Sequence, residues 1–311
     1  TDTKPAGPGE LVIRQMSEAE IRATRWLWQG YIAKGYLNLL AGETSAGKSN
    51  FMMYVASIVT RGRPFPGEGV DAALKRNRGR VLYLGNEDSV AEMIAPRLIA
   101  EKGDLSLVLE IAGVMRDGER DYFSMQDDTE AVRKTIDRYK DTDAPVELLV
   151  IDPVTAYLGG RTLRRVDLGD NGQLRQILTP WATLAEETGI AIVALTHLAK
   201  DTTRNVLHRV LGAQVFTALC RSLLYVVKLP AESQHMKALF QVKTNLAGVV
   251  PEGGLRYETV LQQVGTDRKT GEPILATRVE WGEVDPGLTL ESLAGGSRGP
   301  ESQYGPQPPG T

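Results

Sequence analysis

The feature that most constrains the fold of this chain is a glycine-rich loop between an apolar run and a helical segment. Residues 42–49 read Gly-Glu-Thr-Ser-Ala-Gly-Lys-Ser, which matches the phosphate-loop pattern. The apolar run 36–41 precedes the loop, and residues 50–59 favour a helix. Backbone N–H groups of such a loop, together with the positive end of the helix, surround nucleotide phosphates. The pattern therefore predicts a strand–loop–helix unit that binds a nucleoside triphosphate.

The loop also assigns roles to two side chains. Lys48 is expected to reach the β- and γ-phosphates, and the Ser49 hydroxyl to bind Mg²⁺. An ordinary glycine-rich turn is the alternative interpretation. The predicted cofactors are ATP and Mg²⁺, and the predicted ATP-binding residues are Gly42, Glu43, Thr44, Ser45, Ala46, Gly47, Lys48, Ser49 and Asn50.

Composition excludes several classes of protein. The 311 residues suffice for one large α/β domain or two small ones. A net charge of -3 argues against a surface coated with positive charge, but it leaves room for a local nucleic-acid groove. The single cysteine, Cys220, excludes a disulfide scaffold and favours a reducing compartment. Because no apolar run approaches the roughly 18 residues of a membrane helix, we expect a cytoplasmic protein without a membrane partner.

Short apolar runs alternate with longer amphipathic segments, which is typical of an α/β fold with a mostly parallel central sheet flanked by helices. Closely spaced later runs, 255–264 and 275–281, predict antiparallel edge strands near the C-terminus. We expect a mobile segment 1–10, one domain over 11–283 and a flexible tail 284–311. Within that domain, residues 11–34 predict a helical lead-in anchored by Trp26 and Trp28. The other predicted strands are 36–41, 80–85, 107–112, 147–151, 190–196, 223–228 and 238–243, and the predicted helices are 48–61, 89–102, 128–140, 171–188 and 213–220.

Polar residues directly follow three of the predicted strands. Asp152 ends a run of four apolar residues, so a buried strand would carry its carboxylate to the edge where ligands bind, as a direct or water-mediated Mg²⁺ ligand. Glu87 follows strand 80–85 and is the candidate base that orients the attacking water, whereas Asp88 is expected to cap the next helix. His197 is positioned to sense the γ-phosphate. The alternatives are a solvated strand-end aspartate, a solvated loop acid and a hydrogen-bonded structural histidine.

Together these motifs resemble the RecA-fold ATPases. Within that group the chain most resembles the family of the plasmid replicative helicase RepA and related phage and plasmid ATPases, which are relatives of DnaB-type hexameric helicases. The match covers residues 26–250. Relatives usually carry Gly-Ser where this chain has Gly212-Ala213, and often a second histidine where Thr196 stands.

The resemblance implies a RecA-like P-loop NTPase domain with Glu87 as catalytic glutamate, Asp152 as metal-linked aspartate and His197 as γ-phosphate sensor. It also implies an arginine finger that enters the neighbouring subunit's site, for which Arg221 fits, and a second trans-acting cation, for which Lys243 is the candidate. Judged without the family, Arg221 is an arginine beside an apolar strand, and a structural salt bridge is the alternative.

Two basic loops follow strands that are expected to carry ATP chemistry. Such loops could contact DNA in a central channel and move when the γ-phosphate is lost. Short runs of arginine are also common on solvated surfaces, which is the alternative. The candidate nucleic-acid residues are Arg161, Arg164, Arg165, Lys200, Arg204 and Arg209.

These expectations combine into an ATP-hydrolysing, ring-forming DNA motor, a hexameric replicative-type helicase on single-stranded DNA. A primase or a replication-initiation protein is a further candidate partner. The rival hypothesis is a RecA-fold ATP-dependent DNA-binding or loading module that does not unwind. A small-molecule kinase is the third hypothesis, although no lid or acceptor site is apparent in the sequence.

Overall fold

A nine-stranded sheet forms the centre of the protein. The computed structural model describes residues 13, 15–69, 71, 76–161, 165–198, 213–229, 235–247 and 252–295. The strands in these ranges are β1 (Trp26–Trp28), β2 (Ile32–Ala33), β3 (Leu37–Gly42), β4 (Arg80–Gly85), β5 (Val108–Glu110), β6 (Val114–Arg116), β7 (Glu119–Asp121), β8 (Val146–Asp152), β9 (Ala191–His197), β10 (Ser222–Lys228), β11 (Met236–Thr244), β12 (Gly254–Thr266) and β13 (Pro273–Asp285). The α-helices are α1 (Lys48–Arg61), α2 (Ala95–Ala100), α3 (Thr129–Tyr139), α4 (Asn171–Thr188), α5 (Ala213–Leu219) and α6 (Leu290–Gly295).

The strand order in the large sheet is β13-β12-β11-β10-β3-β9-β8-β4-β5. The strands from β10 to β5 in this order are parallel, whereas β11, β12 and β13 add as antiparallel strands at one edge. This is the predicted mostly parallel sheet with antiparallel edge strands near the C-terminus, and it defines an α/β P-loop NTPase fold. The prediction of the fold class is therefore confirmed.

Helices cover both faces of the sheet, which explains why the central strands are apolar on both sides. All six residues of β3 are buried. On one face, Trp181 of α4 and Phe216 of α5 belong to the same buried cluster as Leu39. On the other face, Phe51 and Met52 of α1 pack in a cluster with Leu40. The side chains of β3 thus alternate between two cores, and the sheet holds the loop after β3 rigidly.

Helix α1 is buried along most of its length because it packs against the central strands β3, β4 and β8 and also against β13. The helix begins directly after Gly47 and ends before Gly62, and both glycines have a left-handed backbone with φ of 87° and 65°. Such a conformation suits glycine, which has no Cβ. The helix bounds are those that the sequence predicts.

The described residues between positions 13 and 34 do not form the predicted helical lead-in. The described part contains a short 3-10 turn at Met16–Glu18 and then the β1–β2 hairpin. The side chain of Asn38 holds this hairpin, since its Oδ1 accepts from the Ala33 N–H at 2.9 Å and its Nδ2 donates to the Ala33 carbonyl at 3.0 Å. Trp28 does act as an anchor, stacked on Phe65 with 4.8 Å between ring centroids. Tertiary hydrogen bonds and aromatic packing therefore override the local helical preference.

The predicted helix 89–102 is divided into a π-helical turn at Val90–Ile94 and the short helix α2. Pro96 lies in the first turn of α2, and a proline has no N–H to donate to the preceding turn, which fits a wider turn at that point. The prediction that Asp88 caps this helix is wrong. Ser89 is the N-cap, and its hydroxyl accepts from the Glu92 N–H at 3.3 Å, because Asp88 instead forms a salt bridge with Arg97.

The structure describes residues past position 283, up to Gly295. Strand β13 continues to Asp285, and Leu288 is buried against the core. Its side chain lies beside Gly254 and near Phe240, where a Cβ on Gly254 would approach Leu288 Cδ2 to 2.8 Å. Leu288 therefore completes the core at this end of β12. The segment 1–10 lies outside the described residues.

Among the helices that the structure describes, none combines the length and the apolar character needed to cross a bilayer.

A buried glutamate connects the end of α2 to β13. Glu101 Oε1 accepts a hydrogen bond from the Val279 N–H at 2.6 Å. Burial raises the pKa of Glu101 to about 7. The folded protein therefore favours the protonated carboxyl, because the hydrogen bond from Val279 offsets only part of the cost of burying the charge.

We expect this group to make stability depend on pH. Its folded-state pKa of about 7 lies above the ordinary value of 4.5, so its contribution is complete at low pH and is lost as the pH rises through 7. Between about pH 5 and about pH 8, the wild type should lose on the order of 2 kcal/mol relative to the variant Glu101→Gln. Thermal unfolding across pH measures this, with the exposed Glu283→Gln as control. Parallel pH profiles of wild type and Glu101→Gln would contradict it.

Candidate active site

The parallel register brings the predicted site residues to one edge of the sheet. In the ladder between β3 and β9, Gly42 lies opposite His197. In the ladder between β4 and β8, Gly85 lies opposite Asp152. These strands end together, so the phosphate loop after β3 and the polar residues after β4, β8 and β9 share the carboxyl edge, where open α/β sheets bind ligands.

The loop has the backbone shape of a phosphate cradle. Ser45 and Gly47 both have positive φ, 60° and 87°, which turns the chain sharply into the start of α1. Gly42 has no room for a side chain, because a Cβ there would lie 2.9 Å from the Val226 carbonyl oxygen of β10. The tip residues Glu43 and Thr44 are exposed. Free N–H groups in the first turn of a helix and in such a loop attract phosphate.

Lys48 lies at the centre of the site. Its Nζ donates to the Gly42 carbonyl at 3.1 Å and to the Glu43 carbonyl at 3.0 Å, and it lies 3.2 Å from His197 Nδ1. Burial lowers the pKa of Lys48, and the carboxylates of Asp152 and Glu87 act in the opposite direction. The ammonium is thus held between the loop and the acidic residues.

Asp152 is buried at the end of β8 and forms a side-chain hydrogen bond with Ser49. Burial raises the pKa of Asp152, whereas Ser49 and the charge of Lys48 favour its ionised form. A serine hydroxyl and a carboxylate in contact are the hard oxygen donors that suit Mg²⁺. Within the described ranges, no group of three or more His, Cys, Asp or Glu side chains could hold a metal ion. The residues present therefore fit a Mg²⁺ ion that receives its remaining ligands from phosphate and water.

His197 lies between Lys48 and Glu87. Its Nε2 is 3.9 Å from Glu87 Oε2, and its Nδ1 faces the Lys48 ammonium. Because an ammonium can only donate, Nδ1 must accept, and the proton of a neutral imidazole is then on Nε2, toward Glu87. The Glu87 side chain is 58% exposed, so water can reach its carboxylate. The three residues form a connected path from the loop lysine to the candidate base.

Tyr83 is a member of the site that no sequence motif marks. Its hydroxyl donates to Asp152 Oδ2 at 3.4 Å. The Tyr83 side chain passes over Gly85, where a Cβ would lie 2.5 Å from the Tyr83 hydroxyl oxygen. Burial raises the pKa of Tyr83 far above its ordinary value, so the hydroxyl keeps its proton and orients the carboxylate. The available signal was the alternation of β4, which puts residues 83 and 85 on one face.

Two further unpredicted residues, Lys228 and Lys237, lie beside the phosphate loop on the β10–β11 side. They occupy directly opposite positions in the ladder between these strands. A Cβ on Gly47 would lie 3.2 Å from Lys237 Cε. No sequence signal could identify Lys237, because only the pairing of β11 with β10 brings it to the loop.

Arg221 and Lys243 lie at the amino ends of the parallel strands, whereas the loop lies at their carboxyl ends. Arg221 directly precedes β10, which runs parallel to β3, and Lys243 pairs with Leu223 at the start of β10. Arg221 is exposed, and Lys243 Nζ donates to the Thr217 carbonyl at 2.6 Å. A six-residue strand such as β3 spans about 20 Å. The structure therefore does not bring these cations to the phosphate loop of their own chain.

Of the candidate nucleic-acid residues, two lie in described ranges. Arg161 is exposed, with its guanidinium 3.8 Å from Asp121 and its backbone N–H donating to Asp127 at 3.0 Å. Arg165 is also exposed. Arg164, Lys200, Arg204 and Arg209 lie outside the described residues.

Comparison with known protein families agrees with this geometry. A family model described as an AAA domain matches residues 4–203, which is more than half of the 311 residues. The chain therefore belongs to the AAA domain family and is a P-loop ATPase domain. A search of curated proteins finds no match.

We expect Glu87→Gln to separate nucleotide binding from hydrolysis. The amide keeps the size of the side chain but cannot accept a proton from water, so turnover should fall by about 10²–10⁴ while ATP affinity stays near that of the wild type. Single-turnover hydrolysis and equilibrium binding of ATP measure the two effects. The exposed Glu92→Gln is the matched control. Turnover of Glu87→Gln within about twofold of wild type would remove Glu87 from the mechanism.

Proposed function

We propose that this P-loop ATPase is a ring-forming motor that acts on single-stranded DNA, with the replicative-type helicases of the RepA and DnaB kind as its functional class. The observation that supports this most directly is the position of the two candidate trans-acting cations. Arg221 and Lys243 lie at the amino edge of the parallel strands, and the phosphate loop lies at the carboxyl edge. Head-to-tail interfaces generate rings, and in the proposed ring the amino edge of one subunit lies against the carboxyl edge of the next.

In such a ring each nucleotide site is assembled from two chains. Lys48 and the loop N–H groups bind the phosphates, and Ser49 with Asp152 holds Mg²⁺, which neutralises phosphate charge when it is bound. Glu87 orients the attacking water, and His197 connects the state of that site to the segment that follows β9. Arg221 of the adjacent subunit supplies positive charge to the transferring phosphoryl group. An arginine in this role contributes about 10³–10⁵ in turnover.

The DNA assignment draws on the location of the basic residues. Arg161 and Arg165 follow β8, whose last residue is Asp152, so a change at the metal-linked carboxylate is transmitted over a short distance. The ion pair of Arg161 with Asp121 is long and exposed, and such pairs contribute little to stability. Breaking this ion pair therefore costs little stability, and Arg161 can exchange Asp121 for a DNA phosphate. A primase or a replication-initiation protein is the further partner that fits this class.

A mixing experiment tests the shared site. Arg221→Ala should bind ATP like the wild type but lose about 10³ in turnover, and Lys48→Ala should lose nucleotide binding. When the two inactive variants are mixed, rings should regain activity, because an intact loop meets an intact arginine at some of the boundaries. The exposed Arg268→Ala serves as the arginine control. Near-normal hydrolysis by Arg221→Ala would exclude a finger at this position.

The DNA motor is tested by ATPase rates with and without single-stranded DNA across protein concentration, with light scattering to follow assembly. We expect turnover to rise with both DNA and assembly, and a forked duplex to be unwound in an ATP-dependent reaction that Lys48→Ala abolishes. DNA-stimulated hydrolysis without strand displacement would favour a loading module. Turnover by the monomer that ignores DNA would contradict the proposal.

A further inference from the structure

Lys237 occupies an unusual position for a lysine. It is the second residue of β11, which lies between β10 and β12 in the sheet. Its ladder partners are Lys228 on β10 and Tyr257 on β12. Only 6% of its surface is exposed. Its aliphatic stem lies on the α1 side of the sheet against Gly47, the residue that directly precedes α1. A buried cation is thus held against the phosphate loop.

The hydrogen-bond partners of this ammonium are neutral, and Glu258 acts on it through its charge without forming a salt bridge. Lys237 Nζ donates to Thr259 Oγ1 at 2.6 Å and to the His235 carbonyl at 3.2 Å, and it lies 6.0 Å from the centroid of the Tyr257 ring. Across the part of the chain that the structure describes, no carboxylate forms a salt bridge with it. An ammonium has three N–H donors, and burying a cation without an anion is unfavourable. This position therefore favours a negatively charged ligand.

Lys228 adds a second positive charge beside Lys237, which makes a negatively charged ligand more favourable there. It lies directly opposite Lys237, and like charges in directly opposite positions of a ladder repel each other. The charge of Lys228 also acts on Lys48 and on Lys237, where it adds to the effect of burial in lowering both pKa values. Three lysines thus interact on this side of the loop, and a bound anion would relieve the repulsion that Asp152, Glu87 and Glu258 offset only in part.

The neighbouring phosphate loop indicates the chemical class of this negatively charged ligand. A nucleoside triphosphate carries more negative charge than Lys48 and one Mg²⁺ neutralise, so further cations strengthen its binding. Glu87, Asp152 and His197 approach from the strands on the β9 side of β3, whereas Lys228 and Lys237 approach from the β10–β11 side. The two groups of residues therefore surround the loop from opposite sides.

We propose that Lys237, together with Lys228, forms a second phosphate-binding element of the same chain, which contacts the polyphosphate of a bound nucleoside di- or triphosphate from the β10–β11 side of the loop. The proposal rests on the proposed function only in that the loop binds nucleotide. Thr259 is the positioning residue, since its hydroxyl accepts from Lys237 Nζ and fixes the direction of the ammonium.

The test compares Lys237→Met, Lys237→Arg and Lys228→Met with the wild type. Methionine keeps the length of the stem without its charge, and loss of a charge-assisted hydrogen bond should weaken binding of ATP and ADP at least about tenfold. Tripolyphosphate should weaken by a similar factor, because the contact is with phosphate and not with the base. The dependence of affinity on salt should also decrease, whereas Lys237→Arg should retain most of the binding. The exposed Lys269→Met is the control.

Folding does not obscure this test. Replacing a buried ammonium by methionine removes a desolvation cost, so the melting temperature of Lys237→Met should equal or exceed that of the wild type. The half-buried Lys228→Met provides a second, independent variant. A structural role alone would lower the melting temperature and leave the salt dependence of binding unchanged, which would overturn the proposal.

Two other results would overturn the proposal, and they are distinguishable. If Lys237→Met and Lys228→Met bind ATP and tripolyphosphate as the wild type does, while Lys48→Met has lost binding, the second element is refuted and the nucleotide site stands. If the wild type binds nucleotide no better than Lys48→Met, the proposed function fails together with this inference. Loss of ATP affinity without loss of tripolyphosphate affinity would assign the contact to the nucleoside and refute phosphate binding.

Discussion

The parallel register of β3, β9, β8 and β4 places Gly42 opposite His197 and Gly85 opposite Asp152, and the chemistry of the site depends on this alignment. Side chains alternate along a strand, so a shift of one residue would turn Asp152 toward the opposite face. The register is fixed because these strands are buried on both faces and must present apolar residues to two cores at once. The packing that stabilises the sheet therefore also sets the distances among Lys48, Asp152 and His197.

Several charged side chains are buried around the phosphate loop, at the carboxyl ends of the parallel strands. Asp152 and Lys48 are both nearly inaccessible. Burial raises the pKa of Asp152 and lowers that of Lys48, and neighbours oppose this: Ser49 and Lys48 for the carboxylate, Asp152 and Glu87 for the ammonium. Lys237 is buried as deeply but has neutral partners among the described residues. Rigid placement of charges without water is what electrostatic stabilisation of phosphoryl transfer requires.

The C-terminal hairpin of β12 and β13 is part of the support of the loop. Thr277 Oγ1 donates to Asn50 Oδ1 at 3.2 Å, although 227 positions separate the two residues. The Val279 N–H donates a hydrogen bond to Glu101 Oε1. The hairpin thus contacts the first turn of α1 in addition to the central strands. Residues outside the region 4–203 that the AAA family model matches therefore help to set the geometry of the nucleotide loop.

The sequence by itself determined the strand–loop–helix unit, the bounds of α1 and the polar strand ends at Glu87, Asp152 and His197. These are local features: apolar runs define strands, and glycines with Lys48 and Ser49 define the loop. The sequence did not determine the hairpin of β1 and β2, the pairing of Asp88 with Arg97, or the approach of Tyr83 and Lys237 to the site. Each of these depends on contacts between segments that are far apart in the chain or on close packing around a glycine. Only the tertiary structure decided which of two adjacent residues caps a helix and which lysine joins the phosphate loop, because desolvation and long-range pairing then outweigh local preference.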